Sequence, residues 1–65
     1  MEWKVWEQKR VFLRTKFDKV YSGIVQEVAD VGDGVIFLSL LDKFDNWVTI
    51  TVKEIVEIKE EKEKV

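Results

Sequence analysis

Two apolar, β-branched runs separated by an Asp/Gly cluster constrain the fold more than any other feature of this chain. The first run covers residues 20–30, VYSGIVQEVAD, and the second covers residues 35–41, VIFLSLL. Branched and large apolar side chains fit a pleated sheet, and Asp and Gly tolerate the dihedral angles of a tight turn. The sequence therefore predicts a β-hairpin with its turn at residues 31–34.

Three further runs have the composition or the alternation of β-strands. Residues 10–16, RVFLRTK, alternate with a period of two, and residues 47–52, WVTITV, are rich in β-branched side chains. A last short run, residues 55–58, follows a brief polar interruption. Five short strands in so short a chain predict an all-β fold, a small, strongly bent, five-stranded antiparallel barrel over residues 10–58.

Gly23 lies in the middle of the first run, where a glycine is unusual. Glycine weakens a strand because it has no side chain to pack, so inside a strand it marks a sharp bend, a bulge or the close approach of another backbone. We therefore expect the second strand to bend at Gly23 and turn the corner of the barrel.

The two ends of the chain have their own patterns. Trp3 and Trp6 stand three residues apart in a stretch without Gly or Pro, which predicts a short helix over residues 2–9 that docks on the sheet. Paired tryptophans can stack on bases, but anchoring of a terminal helix is the interpretation we favour. Residues 59–65, KEEKEKV, are predicted to be a solvated, charged tail.

The small size of the chain predicts association with other chains. A chain of 65 residues forms one domain, and a domain of this size buries only about 60% of the surface that its unfolded form exposes. The sequence has no Cys and no His, which excludes disulfides and zinc sites of the Cys/His type. Contact with other chains is then the reinforcement that we expect.

The residues that carry chemistry are sparse. Asp30 and Asp33 flank the predicted turn, but a calcium loop needs further spaced oxygens and a closing Glu, so we expect turn hydrogen bonds here and no metal or cofactor. Ser22 and Ser39 lie in apolar strands without a nearby base, so we predict that the protein is not an enzyme.

The sequence also has no membrane or export signal that we recognise. No apolar run approaches the roughly 20 residues that span a bilayer, and the N-terminus, MEWKVWEQKR, is too charged for a secretory signal. We therefore predict a soluble, cytoplasmic protein without membrane contact. The charged residues are mostly Lys and Glu, and Asn46 is the single asparagine, a bias that is typical of heat-adapted proteins.

Charge is divided unevenly along the chain. Residues 1–19 carry six basic and three acidic side chains, whereas residues 20–58 carry two basic and seven acidic ones. Nucleic-acid affinity comes largely from basic side chains that neutralise phosphates. The N-terminal third is therefore the part of the chain that we expect to contact a nucleic acid.

Several segments resemble the two sequence blocks that characterise the Sm and Sm-like proteins, over about residues 10–58. The matching segments are Tyr21-x-Gly23-x-Val25, the Val28-x-Asp30 end of the second strand, and residues 50–58 with Ile55 and Ile58. The resemblance implies a five-stranded, highly bent SH3-like barrel that is capped by an N-terminal helix.

The resemblance also implies a homo-oligomeric ring of six or seven subunits. In this family the fourth strand of one subunit pairs with the fifth strand of the next, and single-stranded RNA, often uridine-rich, binds around the pore. Residues 47–52 fit such a contact, because they are long and apolar for an exposed edge and contain no proline. The predicted interface residues are Trp47, Val48, Thr49, Ile50, Thr51, Val52, Ile55, Val56 and Ile58.

The RNA site of the family is altered in this chain. Asp33 and Gly34 occupy about the positions of the base-reading Asn and its neighbour, and the later Arg-Gly pair falls on Thr51 and Val52. An Asp has no donor for a uracil carbonyl, and Val52 adopts left-handed dihedral angles only at a cost. Lys53 is the neighbouring residue that could replace the missing Arg in part.

Two functional hypotheses arise from these observations. The first is a ring-forming Sm-like binding module that contacts RNA through a non-standard site; its candidate residues are Asp30, Asp33, Thr51, Lys53, Lys4, Lys9 and Arg10. The second is a protein-interaction or assembly scaffold with the same barrel and no RNA binding, with Phe44, Trp47 and the acidic loops facing a partner. The excess of acidic residues over residues 20–58 favours the second hypothesis.

Overall fold

Five strands and two short 3-10 helices make up the fold, in a computed structural model that describes residues 2–61. In chain order the elements are the 3-10 helix η1 (Trp3–Trp6), β1 (Arg10–Thr15), β2 (Val20–Gly32), β3 (Val35–Asp42), β4 (Trp47–Thr51), the 3-10 helix η2 (Val52–Glu54) and β5 (Ile55–Glu60). The strands follow the predicted runs to within two residues at each end, because those runs have the period and side chains of half-buried strands.

The strands form one antiparallel sheet with the order β4-β3-β2-β1-β5. The predicted all-β, five-stranded antiparallel fold is confirmed. The predicted barrel is found only in part: the sheet is not closed, because no ladder joins β4 to β5 within residues 2–61. Instead, η2 leads the chain from the end of β4 to the free side of β1, where β5 pairs, so that the sheet stays open.

At Gly23, β2 and β3 lie too close together for a side chain to fit. A β-carbon at Gly23 would lie 2.3 Å from the carbonyl oxygen of Leu41 and 2.9 Å from the Cα of Asp42. Pairing of β2 with β3 also shifts register between Val25 and Glu27, the kind of irregularity that bends a strand. The expected close approach of another backbone at Gly23 is therefore confirmed, whereas the irregularity in β2 lies at Gln26, three residues beyond Gly23.

The core is formed by side chains from four of the strands. Within residues 2–61 seven hydrophobic side chains are buried: Val11, Leu13, Val25, Val28, Leu38, Leu40 and Ile50. β1 shows the alternation most clearly, since Val11, Leu13 and Thr15 are buried and Arg14 is exposed. Seven buried side chains are a small core, which agrees with the expectation for so short a chain.

The β2–β3 hairpin turns over two residues, fewer than predicted. Gly32 pairs with Val35, so β2 extends to Gly32 and the turn consists of Asp33 and Gly34. Asp33 has a φ of 56° and Gly34 a φ of 75°, the left-handed conformation that both central residues of a type I′ turn adopt. Asp30 Oδ1 accepts a hydrogen bond from the Gly32 N–H at 2.9 Å, as expected of a turn-stabilising Asp.

The helix predicted over residues 2–9 is wrong, because only Trp3–Trp6 form a single 3-10 turn. The chain then joins the sheet: the Gln8 N–H donates to the Val25 carbonyl at 2.8 Å, and the Val25 N–H donates to the Lys9 carbonyl at 2.9 Å. Gln8 has a φ of 69°, which a right-handed helix does not allow. Backbone pairing with β2 therefore ends the helix after one turn.

Glu7 fixes this N-terminal segment to β2. Its Oε2 accepts a hydrogen bond from the Val28 N–H at 2.9 Å, beyond Ile24, at which the β1–β2 ladder ends. Trp3 and Trp6 are half-buried and pack against the core, as expected of an anchoring segment. No helix within residues 2–61 is long and apolar enough to cross a membrane.

The predicted charged tail over residues 59–65 begins inside the sheet. β5 extends to Glu60, with Lys59 opposite Phe12 and Glu60 opposite Val11. The Glu61 carboxylate also makes a hydrogen bond with the Ser22 hydroxyl. The prediction was wrong for these residues because alternating charged side chains fit the exposed face of a strand, and residues 62–65 lie outside the described residues.

Candidate functional site

The two outermost strands, β4 and β5, each leave one edge of the sheet open. Within the described part of the chain β4 pairs only with β3, and β5 pairs only with β1. Each therefore has one side without a strand partner, which is a template for pairing with another chain. These open edges are the first candidate site.

A groove of about 360 Å³ runs beside the open edge of β5. It is lined by Trp3, Ile55, Val56, Glu57 and Ile58. Val56 is 52% exposed and is the extra residue of a β-bulge, because Ile55 pairs with Thr15 while Glu57 pairs with Arg14. Large apolar side chains beside an unpaired edge indicate a surface that a neighbouring chain could cover.

The open edge of β4 carries an ordered tryptophan. Trp47 is 57% exposed, and its indole Nε1 donates a hydrogen bond to Thr49 Oγ1 at 3.1 Å. Thr49 Oγ1 lies 3.0 Å from the Ser39 hydroxyl on β3. This chain of hydrogen bonds holds the indole beside the exposed Thr49.

The nine predicted interface residues divide into two groups. Trp47, Thr49 and Val56 have exposed side chains. The others are half-buried or buried, and most of them belong to the chain's own core: Val48, Ile50, Val52, Ile55 and Ile58. Thr51 is half-buried, and its hydroxyl oxygen is buried without a hydrogen-bond partner among the described residues. At these edges, contact with another chain would use mainly the backbone, with three exposed side chains beside it.

The predicted RNA residues at the N-terminus do not form one basic patch. Lys4 lines a pocket of about 110 Å³ together with Asp30, so that the pocket holds opposite charges. Lys9 is exposed, and its Nζ lies 3.9 Å from a Glu60 carboxylate oxygen. Arg10 is half-buried and lines a different, larger cavity. Neighbouring carboxylates therefore reduce the positive charge that Lys4 and Lys9 present.

The other predicted RNA residues are spread over the fold. Asp33 is exposed in the β2–β3 turn, Thr51 ends β4, and Lys53 is exposed in η2. None of these three lines the pocket shared by Lys4 and Asp30 or the cavity that contains Arg10. Within residues 2–61 no group of three or more His, Cys, Asp or Glu residues could hold a metal ion.

A cavity of about 260 Å³ lies between the β1–β2 and β3–β4 hairpins. Its lining residues are Arg10, Val20, Tyr21, Ser22, Asp42, Lys43 and Phe44. Sequence reasoning missed this cavity because its walls come from hairpins about 20 residues apart, which only the strand order brings together. A signal was present, since Phe17 and Phe44 stand in polar turns where nothing in the pattern requires an aromatic residue.

Asp42 shapes the rim of this cavity. Its Oδ1 accepts hydrogen bonds from the N–H groups of Phe44 at 2.8 Å and Asn46 at 2.9 Å. The Asn46 N–H makes the largest contribution to holding the pKa of the Asp42 carboxyl below its ordinary value of 3.8; desolvation opposes the shift, and the Phe44 N–H and the Lys43 charge add to it. The carboxylate form therefore organises the β3–β4 loop.

Acid should weaken this loop through Asp42. Because the folded-state pKa lies below the unfolded value, the stabilisation is complete well above pH 3.8 and is lost as the pH falls through 3.8 and then through the folded-state pKa. We expect an Asp42→Asn variant, which keeps an acceptor oxygen but does not titrate, to lose less stability between about pH 6 and about pH 3. Urea unfolding midpoints at several pH values measure this, and identical pH profiles would contradict it.

Comparison with protein-family models, with curated proteins and with solved structures finds no match to this chain. The resemblance to the Sm and Sm-like proteins therefore has no support outside the residues that suggested it. The open edges, the groove and the charges of the described residues are the observations from which a function can be inferred.

Proposed function

We propose that this protein is a ring-forming binding module in which β4 of one copy pairs with β5 of the next. One observation carries the proposal: the two open edges belong to different strands, β4 on one side of the sheet and β5 on the other. A contact between unlike surfaces passes from copy to copy and must close into a ring to avoid a filament. The Sm resemblance suggests six or seven copies.

The composition of the two edges supports pairing between them. Val56 and Trp47 are both more than half exposed, and a groove lined partly by Trp3 follows β5. The pairing of β4 with β3 has no register shift, so β4 offers a regular edge. A small core and two open edges are liabilities for a single copy, and edge pairing would relieve both.

Single-stranded RNA is the ligand that we propose for this module, contacted through Lys4, Lys9 and Arg10. Each copy of a ring would repeat these three separate basic side chains, and repeated weak contacts add up to useful affinity. Asp33 and Thr51 lack the groups that read a uracil in the family, so we expect binding with little sequence preference. The nearby Glu60 and Asp30 carboxylates make us expect weak, salt-sensitive binding.

The alternative proposal is an assembly scaffold that binds protein and no RNA. Two observations favour it. The carboxylates beside Lys4 and Lys9 reduce the basic surface, and the exposed Phe44 and Trp47 fit a protein partner better than a phosphate backbone. Both proposals share the ring and differ in what it binds.

A lysine on the open edge of β5 tests the ring. We expect Val56→Lys to convert the assembly to single chains of 7.7 kDa, because the contact would bury a charge without a partner. The isolated fold should be nearly unaffected, since Val56 is already exposed. Sedimentation velocity measures the mass. Val31→Lys is the matched control: Val31 is 61% exposed on the distant β2–β3 hairpin and should leave the assembly intact. A Val56→Lys protein that keeps the mass of the unmodified chain would contradict the proposal.

Fluorescence anisotropy decides between RNA and protein as the ligand. Labelled oligo-U, oligo-A and a mixed-sequence oligonucleotide are titrated at low and at moderate salt. We expect similar, weak binding to all three at low salt, reduced by Lys4→Gln and Lys9→Gln together and by added salt. Absence of binding at low salt would remove RNA and leave the scaffold.

A further inference from the structure

Two hairpin loops of this protein share a three-residue sequence and the same pattern of hydrogen bonds. The β1–β2 loop is TKFDK, residues 15–19, and the β3–β4 loop is DKFDN, residues 42–46, so both contain Lys-Phe-Asp. We call residues 15–19 and 42–46 the two Lys-Phe-Asp loops. The similarity extends from the sequence to the backbone, because each backbone hydrogen bond of one loop has an equivalent in the other.

The backbone hydrogen bonds of the two loops are equivalent. The Thr15 N–H donates to the Lys19 carbonyl at 2.9 Å, and the Asp18 N–H donates to the Thr15 carbonyl at 3.0 Å. In the second loop the corresponding bonds join Asp42 with Asn46 and Asp45 with Asp42, both at 3.0 Å. The first residue of each loop closes the turn with its side chain, since Thr15 Oγ1 accepts two backbone N–H groups just as Asp42 Oδ1 does.

This geometry explains part of the shared sequence. Asp18 and Asp45 have φ values of 61° and 63°, a conformation that Asp tolerates better than most residues. The side chain of the first residue is needed to accept the N–H groups. Nothing in the turn requires an aromatic residue at Phe17 or Phe44, however, and both side chains are largely in solvent, at 63% and 72% exposed.

Both loops lie at the same end of the sheet. β1 and β3 run towards this end and β2 and β4 run away from it, so the two hairpins turn side by side, and Val20, Lys43 and Phe44 line one cavity between them. Each Phe ring has the preceding lysine over it, with Nζ to ring-centre distances of 5.4 Å at Phe17 and 5.2 Å at Phe44. The fold therefore presents two similar aromatic groups at one end of the sheet.

The charges of the two loops themselves are balanced. Residues 15–19 and 42–46 carry three lysines and three aspartates: Lys16, Lys19, Lys43, Asp18, Asp42 and Asp45. On the neighbouring strands, Arg10 lines the cavity between the hairpins, and Arg14 is paired with Asp18 and Glu57. A surface for nucleic acid or anionic lipid needs a concentrated positive charge, which these two loops lack. Loops that carry equal numbers of cations and anions beside exposed apolar groups suit a copy of themselves, because a two-fold contact can set lysines of each copy against aspartates of the other.

We propose that this end of the sheet is a self-association surface, on which a second copy of the chain docks across a two-fold axis. Phe17 and Phe44 become buried against the second copy, and lysines of each copy pair with Asp18 and Asp45 of the other. Asp18 is available for this, because its ion pair with Arg14, at 3.8 Å, leaves its side chain 92% exposed. The contact uses loops and not the open edges of β4 and β5, so it stands or falls independently of the ring.

Removal of the two rings tests the proposal. We call the particle that the unmodified protein forms in dilute solution the dilute unit. Sedimentation equilibrium over a range of concentrations should show the mass of this unit doubling as the concentration rises. We expect Phe17→Ser together with Phe44→Ser to weaken this doubling at least about tenfold, because two apolar side chains lose their burial, and to leave the dilute unit unchanged. Val31→Ser, at the opposite end of the sheet, is the control and should not alter the doubling.

Charge variants test the arrangement of the two copies. Lys16→Gln with Lys43→Gln leaves the two loops with an excess of negative charge, and Asp18→Asn with Asp45→Asn leaves them with an excess of positive charge. We expect each variant alone to associate more weakly than the unmodified protein, and an equal mixture of the two to associate more strongly than either alone. Asn also tolerates a positive φ, so both loops should keep their shape, which circular dichroism checks.

Three results would overturn the proposal. The first is an unmodified protein that never doubles its dilute unit, and the second is a doubling that survives loss of both phenylalanines. The third is binding to anionic vesicles or to oligonucleotides that depends on Phe17 and Phe44 in a protein that does not double. Failure of the ring gives a different signature, because it lowers the mass of the dilute unit itself.

Discussion

Replacement of Gly23 by alanine is expected to unfold this protein. The new β-carbon would lie 2.3 Å from the Leu41 carbonyl oxygen and 2.8 Å from its carbonyl carbon, and both belong to the backbone of the paired strand. Relief of this overlap requires β2 and β3 to separate at the centre of the sheet, which we expect to cost more than about 3 kcal/mol. A domain of this length has a total stability of only about 3 to 10 kcal/mol.

Circular dichroism and thermal unfolding of Gly23→Ala measure this effect. Gly34→Ala is the matched control, because Gly34 has a φ of 75° but no atom within 4 Å of its potential β-carbon. That variant should lose only about 1 to 2 kcal/mol from backbone strain and remain folded. A Gly23→Ala protein that melts near the unmodified one would mean that β2 and β3 are not held this closely.

The second large effect is expected from Leu40→Ala. Leu40 is fully buried in a core of seven hydrophobic side chains, so its truncation removes a considerable part of that core. We expect a loss of about 2 to 5 kcal/mol in the free energy of unfolding. Each kcal/mol should lower the melting temperature by about 4 to 8 °C in a domain of this size.

Val31→Ala is the control for this truncation, because Val31 is 61% exposed on a hairpin and should change stability by less than about 0.5 kcal/mol. Urea unfolding of both variants gives the comparison directly. If association stabilises the fold, the loss in Leu40→Ala will grow when the protein is diluted. Equal stability of the two variants would contradict the assignment of Leu40 to the core.

Strands were predictable from this sequence because their signals are local. The alternation of Val11 and Leu13 and the apolar run of residues 35–41 each determine a strand without reference to the rest of the chain. Gly23 was also informative, since a glycine inside a strand has few explanations other than a bend or a close backbone. Five antiparallel strands followed from these signals, but the pairing of β5 with β1 did not.

Long-range hydrogen bonds account for what the sequence did not reveal. The helix over residues 2–9 has helical spacing of its tryptophans, but the backbone of Gln8 pairs with Val25 and ends it after one turn. Lys59 and Glu60 look like a solvated tail until β1 provides a partner for them. Local composition cannot reveal such pairings, because they depend on which strand edges remain free.

The candidate surfaces illustrate the same limit. The open edges of β4 and β5 could be expected, because the β-branched run at 47–52 ends the sheet on one side. The separation of Lys4 and Arg10 into two different cavities could not be expected, since both residues lie in one short basic stretch of the sequence. The similarity of the two Lys-Phe-Asp loops is present in the sequence, but only the strand order shows that the two loops lie side by side.

The molar mass of the unmodified protein, measured by light scattering as the sample is diluted, tests the assembly most directly. Pairing of the open edges of β4 and β5 predicts one discrete particle of six or seven chains, each of 7.7 kDa, that persists in dilute solution. A particle of 7.7 kDa at every concentration would contradict the proposed ring, because both open edges would then remain uncovered in solution.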